Sequence, residues 1–355
     1  MKSSRGILLS MAIILFIAAT SVSMINSRNN SQDTDTVVPT PSPTPASHGI
    51  TITAAGDCTF ATDITTPSYG SFVSKVEEVQ DYSYFLKNVA PLFSEDDLTI
   101  VNFEGTLSTR GYRLDKQFAF RGDPEYVNIL TSSSVEAASL ANNHSMDYGE
   151  ESFTDTMQYL TQSGILNFSG TTTSTTNING IKVGLAGINA LNDTGINQTE
   201  SVIKSLKADG AQIVIAYIHW GVEKAEVPND TQISLAHKAI DAGADLVLGA
   251  HPHVLQGIEK YNGRYIVYSL GNFCFGGNTN PSDKDTMLVR ATLTLGQDGN
   301  VIDDDNISFI PCRISSADSY NDYQPIIAEG EEKERIINKI TERTNAIAPL
   351  TLNFR

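Results

Sequence analysis

The 355-residue sequence predicts an α/β domain built on a parallel or mixed β-sheet covered by helices. Three observations predict it. Apolar strand-like runs alternate with helix-length segments through the middle of the chain. Five of those runs end in a residue with metal-ligand or acid/base chemistry. Roughly 300 residues remain after the first fifty, enough for one large domain with a sizeable core.

The elements follow in order. Ile50 to Ala55 predicts a first strand ending in Gly56-Asp57, and a helix is expected over about 71–92. Leu98 to Val101 is a second strand, ending in Asn102-Phe103-Glu104. Val135 to Leu140 is a third, ending in Ala141-Asn142-Asn143-His144, with a helix after it at about 149–163. Asn179-Gly180 is a hairpin turn into Ile181 to Ile188. A helix near 198–209 leads to the apolar run Ala211 to Ile218, which ends in His219-Trp220-Gly221. A helix near 229–242 leads to Asp245 to Leu248, followed by Gly249-Ala250-His251-Pro252-His253. Asn262-Gly263 turns into Arg264 to Leu270, then Gly271-Asn272-Phe273. Strand-like runs at 287–295 and 306–312 and a polar helix at about 330–345 complete the chain. The late hairpins add antiparallel strands, for which a second packed sheet is the expected home.

Residues 1–25 predict a membrane segment. Lys2 and Arg5 precede a charge-free apolar run to about Ile25, long enough to span a bilayer as a helix. The positive flank places the remainder outside, as a single-pass anchored protein in the cell membrane. The rival reading is a cleaved signal peptide, with Ser21 and Ser23 as the small residues before the cut, and secretion. Residues 26–48 hold Pro-Thr-Pro-Ser-Pro-Thr-Pro at 39–45, an extended spacer that cannot build a core. The exterior domain is therefore 49–355.

The formal net charge is −17; Lys2, Arg5 and Arg28 are the only charges before residue 29, so the rest carries −20. That excludes a nucleic-acid partner, which needs a basic face, and an anionic membrane surface as partner of the globular part. An anionic substrate would need a local positive centre, such as a metal ion. Three cysteines, Cys58, Cys274 and Cys312, form no disulfide framework.

The polar residues at the strand ends are Asp57, Asn102 and Glu104, Asn143 and His144, His219, and His251 and His253. Ligands of open α/β sheets gather at the carboxyl ends of strands, so residues spread over about 200 positions can meet at one edge. A lone histidine after a strand is ordinarily a core or capping residue. Here four of the domain's five histidines lie at strand ends, and only His237 falls within a helix. The His-x-His pair lets two rings serve two neighbouring metals, or a metal and a substrate. Carboxylate, Asn and imidazole ligands suit Mn, Fe, Zn or Mg. One or two such divalent ions can clamp a phosphate or carboxylate, while a nearby His protonates a leaving group. Trp220, the single tryptophan, is placed either along the pocket or in the core.

The order of Gly56-Asp57-Cys58-Thr59, Asn102-Phe103-Glu104-Gly105, Asn142-Asn143-His144, His219-Trp220-Gly221 and Gly249-Ala250-His251-Pro252-His253 resembles the calcineurin-like metallophosphoesterases. The variants Asn-x-Glu-Gly, Asn-Asn-His and His-Trp-Gly, with Ser269-Leu270-Gly271-Asn272-Phe273, are similar to the CapA/PgsA-type capsule proteins over about residues 50–275. The resemblance implies a four-layer αββα sandwich. It implies one metal position of Asp57, Glu104 and His253 and a second of Asn143, His219 and His251, with Glu104 bridging. His144 becomes the acid or transition-state stabiliser, and Asn102 and Asn272 support the pocket. Two departures stand out. Thr59 occupies the place of a histidine, so one position loses an imidazole, and Asn102-x-Glu104 replaces Gly-Asp.

The function so implied is a part in poly-γ-glutamate capsule synthesis, export or attachment, alongside capsule synthase membrane subunits and the polymer itself. A metal-dependent hydrolase of a phosphoester or amide, and a non-catalytic binding domain with a degenerate site, are the alternatives. Fold alone does not carry an activity across.

Overall fold

A computed structural model describes residues 49–355; the predicted membrane segment and Pro-rich spacer lie outside the described residues. Among the described residues no helix is long and apolar enough to cross a membrane.

The chain opens with β1 (Gly49–Thr59), α1 (Phe72–Val79) and α2 (Ala90–Phe93). Next come β2 (Leu98–Phe103), β3 (Thr106–Leu107), β4 (Arg121–Gly122), α3 (Val127–Thr131) and β5 (Ala137–Ser139). They are followed by α4 (Glu150–Gln162), β6 (Leu166–Phe168), β7 (Ser174–Ile178), β8 (Ile181–Asn189) and α5 (Asp193–Ala208). Then β9 (Ile213–His219), α6 (Asp230–Asp241), β10 (Leu246–Ala250), β11 (Ile258–Tyr261) and β12 (Arg264–Val267) complete the middle of the chain. β13 (Asn272–Phe275), β14 (Asp285–Thr294), β15 (Ile307–Arg313), β16 (Ile326–Ile327) and α7 (Gly330–Asn345) close it.

The strands form two large sheets. The first runs β16-β15-β14-β1-β2-β5-β6, with β13 beside the end of β1. Its β1-β2-β5-β6 half is parallel, and β14, β15 and β16 add antiparallel strands on the other side of β1. The second runs β11-β12-β10-β9-β8-β7, parallel at its centre and antiparallel at both edges.

Period-two alternation along the strands assigns their faces. Ile50, Ile52, Ala54 and Ile100 of the first sheet share one core with Val183, Leu185, Ile213, Ile215, Leu246 and Leu248 of the second. The intervening residues Ala55, Val101 and Ala138 point the other way, onto Phe72, Phe85, Ile129 and Leu160 of the first helical layer. On the second sheet Ala186, Val214, Ala216 and Val247 meet Val202, Ile203 and Leu206 of α5 and Leu235, Ala236 and Ala239 of α6. The layers are thus helix, sheet, sheet, helix. Each fully buried aliphatic side chain contributes roughly 1.5–3 kcal/mol, so the shared inter-sheet core is the main reason the two sheets stay face to face.

Three expectations need correction. The helix over 71–92 is interrupted. Gln80 caps α1 in the left-handed region at φ 49°, the Asp81 side chain caps a 3₁₀ turn at Tyr82–Phe85, and Pro91 lies in the first turn of α2. The helix expected near 198 begins at Asp193, where Asn192 Oδ1 accepts from Gly195 N at 3.0 Å. The second sheet is real: the central βαβ run builds it and the Asn262-Gly263 hairpin β11-β12 joins its edge antiparallel as expected, but the last strands β14, β15 and β16 join the first sheet instead. Both Asn-Gly hairpins form, with φ of 53° and 83° at Asn179-Gly180 and 48° and 74° at Asn262-Gly263.

Candidate metal centre

Parallel register aligns the site. Asp57 pairs with Asn102 on β2 and with Asn272 on β13, and Ala250 at the end of β10 pairs with His219 at the end of β9. The strand ends of both sheets therefore deliver their polar residues to one edge of the inter-sheet core. Two glycines permit the close approach: a Cβ at Gly56 would lie 2.0 Å from Gly271 O, and one at Gly249 would lie 2.0 Å from Tyr268 O.

Asn102 sits at the centre of the contacts. Its Nδ2 donates to Asp57 Oδ1 at 2.8 Å and to Glu104 Oε1 at 3.3 Å, and lies 3.4 Å from His219 Nδ1. His219 Nε2 lies 2.8 Å from Asn143 Oδ1 and 3.4 Å from Glu104 Oε1. Asn142 Nδ2 braces Asn102 Oδ1 at 3.2 Å. On the other side His253 Nδ1 meets Asn272 Oδ1 at 2.9 Å and Asp57 Oδ2 at 3.2 Å, leaving its Nε2 as the free ligand atom. His219 and His251 rings are 4.7 Å apart, and His251 and His253 rings 5.8 Å apart. The turn after β10 is strained: His251 has φ 94° and His253 φ 56°, backbone angles that non-glycine residues hold where surrounding structure forces them.

Asp57, Glu104 and His219 are almost fully buried. Burial, reinforced by the Asp57 charge, holds the Glu104 carboxyl well above the usual range. Burial, then the neighbouring His251 and His253, keeps the His219 imidazole well below its ordinary value. Burial likewise takes His251 down to about 4. For His253 burial pulls down, but Glu104 and Asp57 outweigh it and push the ring up to about 10. Glu104 Oε2 and His251 Nδ1 are buried with no hydrogen-bond partner. Donor atoms of Asp57, Glu104 and His219 lie within 4.8 Å of one another, and so do donors of Glu223, His251 and His253. Unpartnered buried acceptors beside crowded carboxylates are what a divalent cation would relieve, and the oxygen and imidazole donors fit a hard or borderline ion. The residues present therefore fit the group.

His144 Nδ1 is 2.8 Å from Asp147 Oδ2, and Lys116 Nζ bridges Asp147 Oδ1 at 2.6 Å and Asn143 O at 2.9 Å. Phe120 lies against the His144 ring at 4.7 Å, and its N–H also donates to Asp147 Oδ2. Trp220 is not with the ligands. It packs in the core under α5 and α6, stacked on Tyr268 at 5.7 Å, with Nε1 donating to Tyr268 O. His237 stacks on Tyr261 and meets Glu259, away from the site. All three cysteines are buried and free, and burial pushes the Cys58 and Cys312 thiols up to about 12.

Sequence reasoning missed Lys116, Asp147 and Glu223. Asp147 follows His144 at three residues, and Glu223 follows the His-Trp-Gly run, so both had a local signal. Lys116 arrives from a loop with none.

Similarity to known proteins covers the same stretch of chain. The family model of the bacterial capsule synthesis protein PGA_cap matches residues 51–277. The PGA biosynthesis protein CapA of Bacillus subtilis (strain 168) is 28% identical over 316 residues, spanning 81% of this chain and 80% of that protein. The capsule biosynthesis protein CapA of Bacillus anthracis is 26% identical over 304 residues, 78% of this chain and 71% of that one. A solved hypothetical protein from Thermus thermophilus is 15% identical, covering 74% of this chain and 98% of its own, with a TM-score of 0.45. Because the family match takes in every strand-end residue from Asp57 to Asn272, the chain belongs to the bacterial capsule synthesis protein PGA_cap family.

Proposed function

We propose that the chain works outside the cell membrane, tethered by its N-terminal apolar segment, in the synthesis, export or attachment of poly-γ-glutamate. In this reading the strand-end cluster binds one or two divalent ions. Family membership supports the capsule role, as do the capsule and PGA biosynthesis names of the two Bacillus proteins. The observation that carries the metal reading is the buried Glu104 carboxyl, unpartnered at Oε2 and crowded by Asp57 and His219.

Electrostatics gives the ions a reason to be there. The chain after residue 28 carries −20, which repels a polyanion. Near the site Lys116 is paired with Asp147 and Arg113 with Asp63, so neither is a free cation. Asp57, Glu104, Asn143, His219, His251 and His253 would hold the ions. When bound, they supply Lewis-acid polarisation and a positive centre for a carboxylate or phosphate. Asn102 and Asn272 orient the ligands, as their hydrogen bonds to Asp57 and His253 indicate. Asp147 accepts from His144 Nδ1, which leaves Nε2 as the atom where a proton is held or delivered. That pair favours a second reading, metal-dependent hydrolysis of an amide or phosphoester, in which His144 protonates the leaving group.

Deleting the gene should abolish or sharply reduce surface poly-γ-glutamate, with wild type restoring it and His251→Ala failing to do so. In the complemented strain the chain should fractionate with membranes. Unchanged polymer after deletion would sink the capsule role, and recovery of the chain from the medium would sink the anchor.

A further inference from the structure

A cleft of about 600 Å³ opens between α1, the loop before it and the loops after β13 and β15. Small-molecule sites run to roughly 300–1,000 Å³. Its walls are tied together. Tyr323 Oη donates to Gly70 O at 2.8 Å, Asn321 Nδ2 donates to Phe275 O and Asn278 O, both at 3.0 Å, and Asn321 N donates to Thr279 O at 2.9 Å. The Phe275 ring lies 5.3 Å from the His253 ring, so the cleft adjoins the candidate metal centre without sharing its ligands. Two tyrosines from different segments line it in the open: Tyr69 is 94% and Tyr320 53% exposed, whereas nearby Tyr323 is fully buried against Phe72. Lys75, the one cation of the lining, pairs with Glu78 at 2.6 Å, so the cleft carries no net charge. Thr279 and Asn280 add a hydroxyl and a carboxamide. Asn280 Oδ1 accepts from Lys284 Nζ at 2.6 Å, which leaves its Nδ2 to donate to a ligand.

We propose that this cleft binds a neutral oligosaccharide. A sugar ring offers C–H faces to phenol rings and hydroxyl or amide edges to side-chain donors and acceptors, and the lining supplies both kinds of contact. Tyrosines give that contact area at low conformational-entropy cost. A polyanion is the wrong ligand: it meets no unpaired cation in the lining, and the chain after residue 28 carries −20. An apolar ligand is wrong as well, because it would desolvate the Lys75–Glu78 pair, Thr279 and Asn280 without hydrogen bonds in return. The proposal goes beyond the capsule and metal readings and needs neither. Where the strand-end site handles a polymer, a glycan seated in the cleft lies beside it.

The test is calorimetric titration of the full-length, chelator-stripped chain with chitotetraose and, separately, cellotetraose, with a γ-glutamyl tetramer as the anionic comparator. Wild type should bind at least one of the two sugars saturably at a single site, and more tightly than the γ-glutamyl tetramer. Tyr69→Ala and Tyr320→Ala replace exposed rings and leave the core intact. Each should weaken sugar binding by about tenfold, the order of an aromatic contact, with an unchanged thermal midpoint. His251→Ala should bind the sugar as wild type does, which separates this site from the metal centre. Failure of wild type to bind either sugar would overturn the proposal, as would wild-type affinity in both tyrosine variants. Tighter binding of the γ-glutamyl tetramer, lost in the tyrosine variants, would replace it with a polymer track. None of these results bears on whether the strand ends bind metal.

Discussion

Glu104 shows how much of the site is decided by single atoms. Its carboxyl is completely buried, lies beside Asp57 and leaves Oε2 unpartnered, and burial with that neighbouring charge raises its pKa well above the usual range. A carboxylate in that position weakens the fold at neutral pH, because desolvation is not repaid by a partner. Glu104→Gln keeps an oxygen for the Asn102 amide and removes the charge. It should therefore raise the thermal midpoint of chelated protein, at roughly 2 °C per kcal/mol regained, and abolish the further rise expected for wild type on adding Mn²⁺. Thermal melts with and without metal check both arms. A variant that is less stable when chelated, or still stabilised by metal, would show that Glu104 is a structural group with its charge compensated.

At the scale of elements, a half-buried acid, Glu136, sits just before β5. Glu136 Oε2 accepts from Thr99 N of β2 at 2.7 Å, and burial pushes its carboxyl up to about 7 from 4.5. A raised carboxyl binds more protons folded than unfolded. The stability it supports is complete below about pH 4.5, is lost as pH rises, and is gone above about 7. Glu136→Gln retains the accepting oxygen, so denaturant unfolding should find it matched to wild type near pH 4.5 and more stable at about pH 8. Equal stability at both pH values would contradict this. The elements also show what the sequence could reveal. Strand ends were legible because each is a local apolar run closed by one polar residue, and the Asn-Gly turns because their φ demands are local. The break in the first helix was not, since Gln80 adopts the left-handed region with no glycine to announce it. Trp220 packed in the core, since its place depends on α5 and α6. The grouping of Glu223 with His251 and His253 depends on two loops far apart in sequence, joined by the bond from Lys224 N to Pro252 O.

For the whole molecule, two sheets sharing one core bring the ends of β1, β2, β5, β9, β10 and β13 to a common edge, and α7 seals the same core with Ile336 and Ile340. Asp285 fastens that helix: burial raises its carboxyl, but Arg335 and Lys339 outweigh it and hold it below the usual range. The site is therefore preorganised by the sandwich and not by any one loop. An acidic domain of the capsule synthesis protein PGA_cap family would gain a local positive centre from metal bound at that site. The most direct measurement is elemental analysis of the full-length chain after metal loading and exhaustive desalting, with His251→Ala in parallel. The account predicts one to two divalent ions per wild-type chain and a clear loss in the variant. A wild-type chain that retains no metal would contradict it.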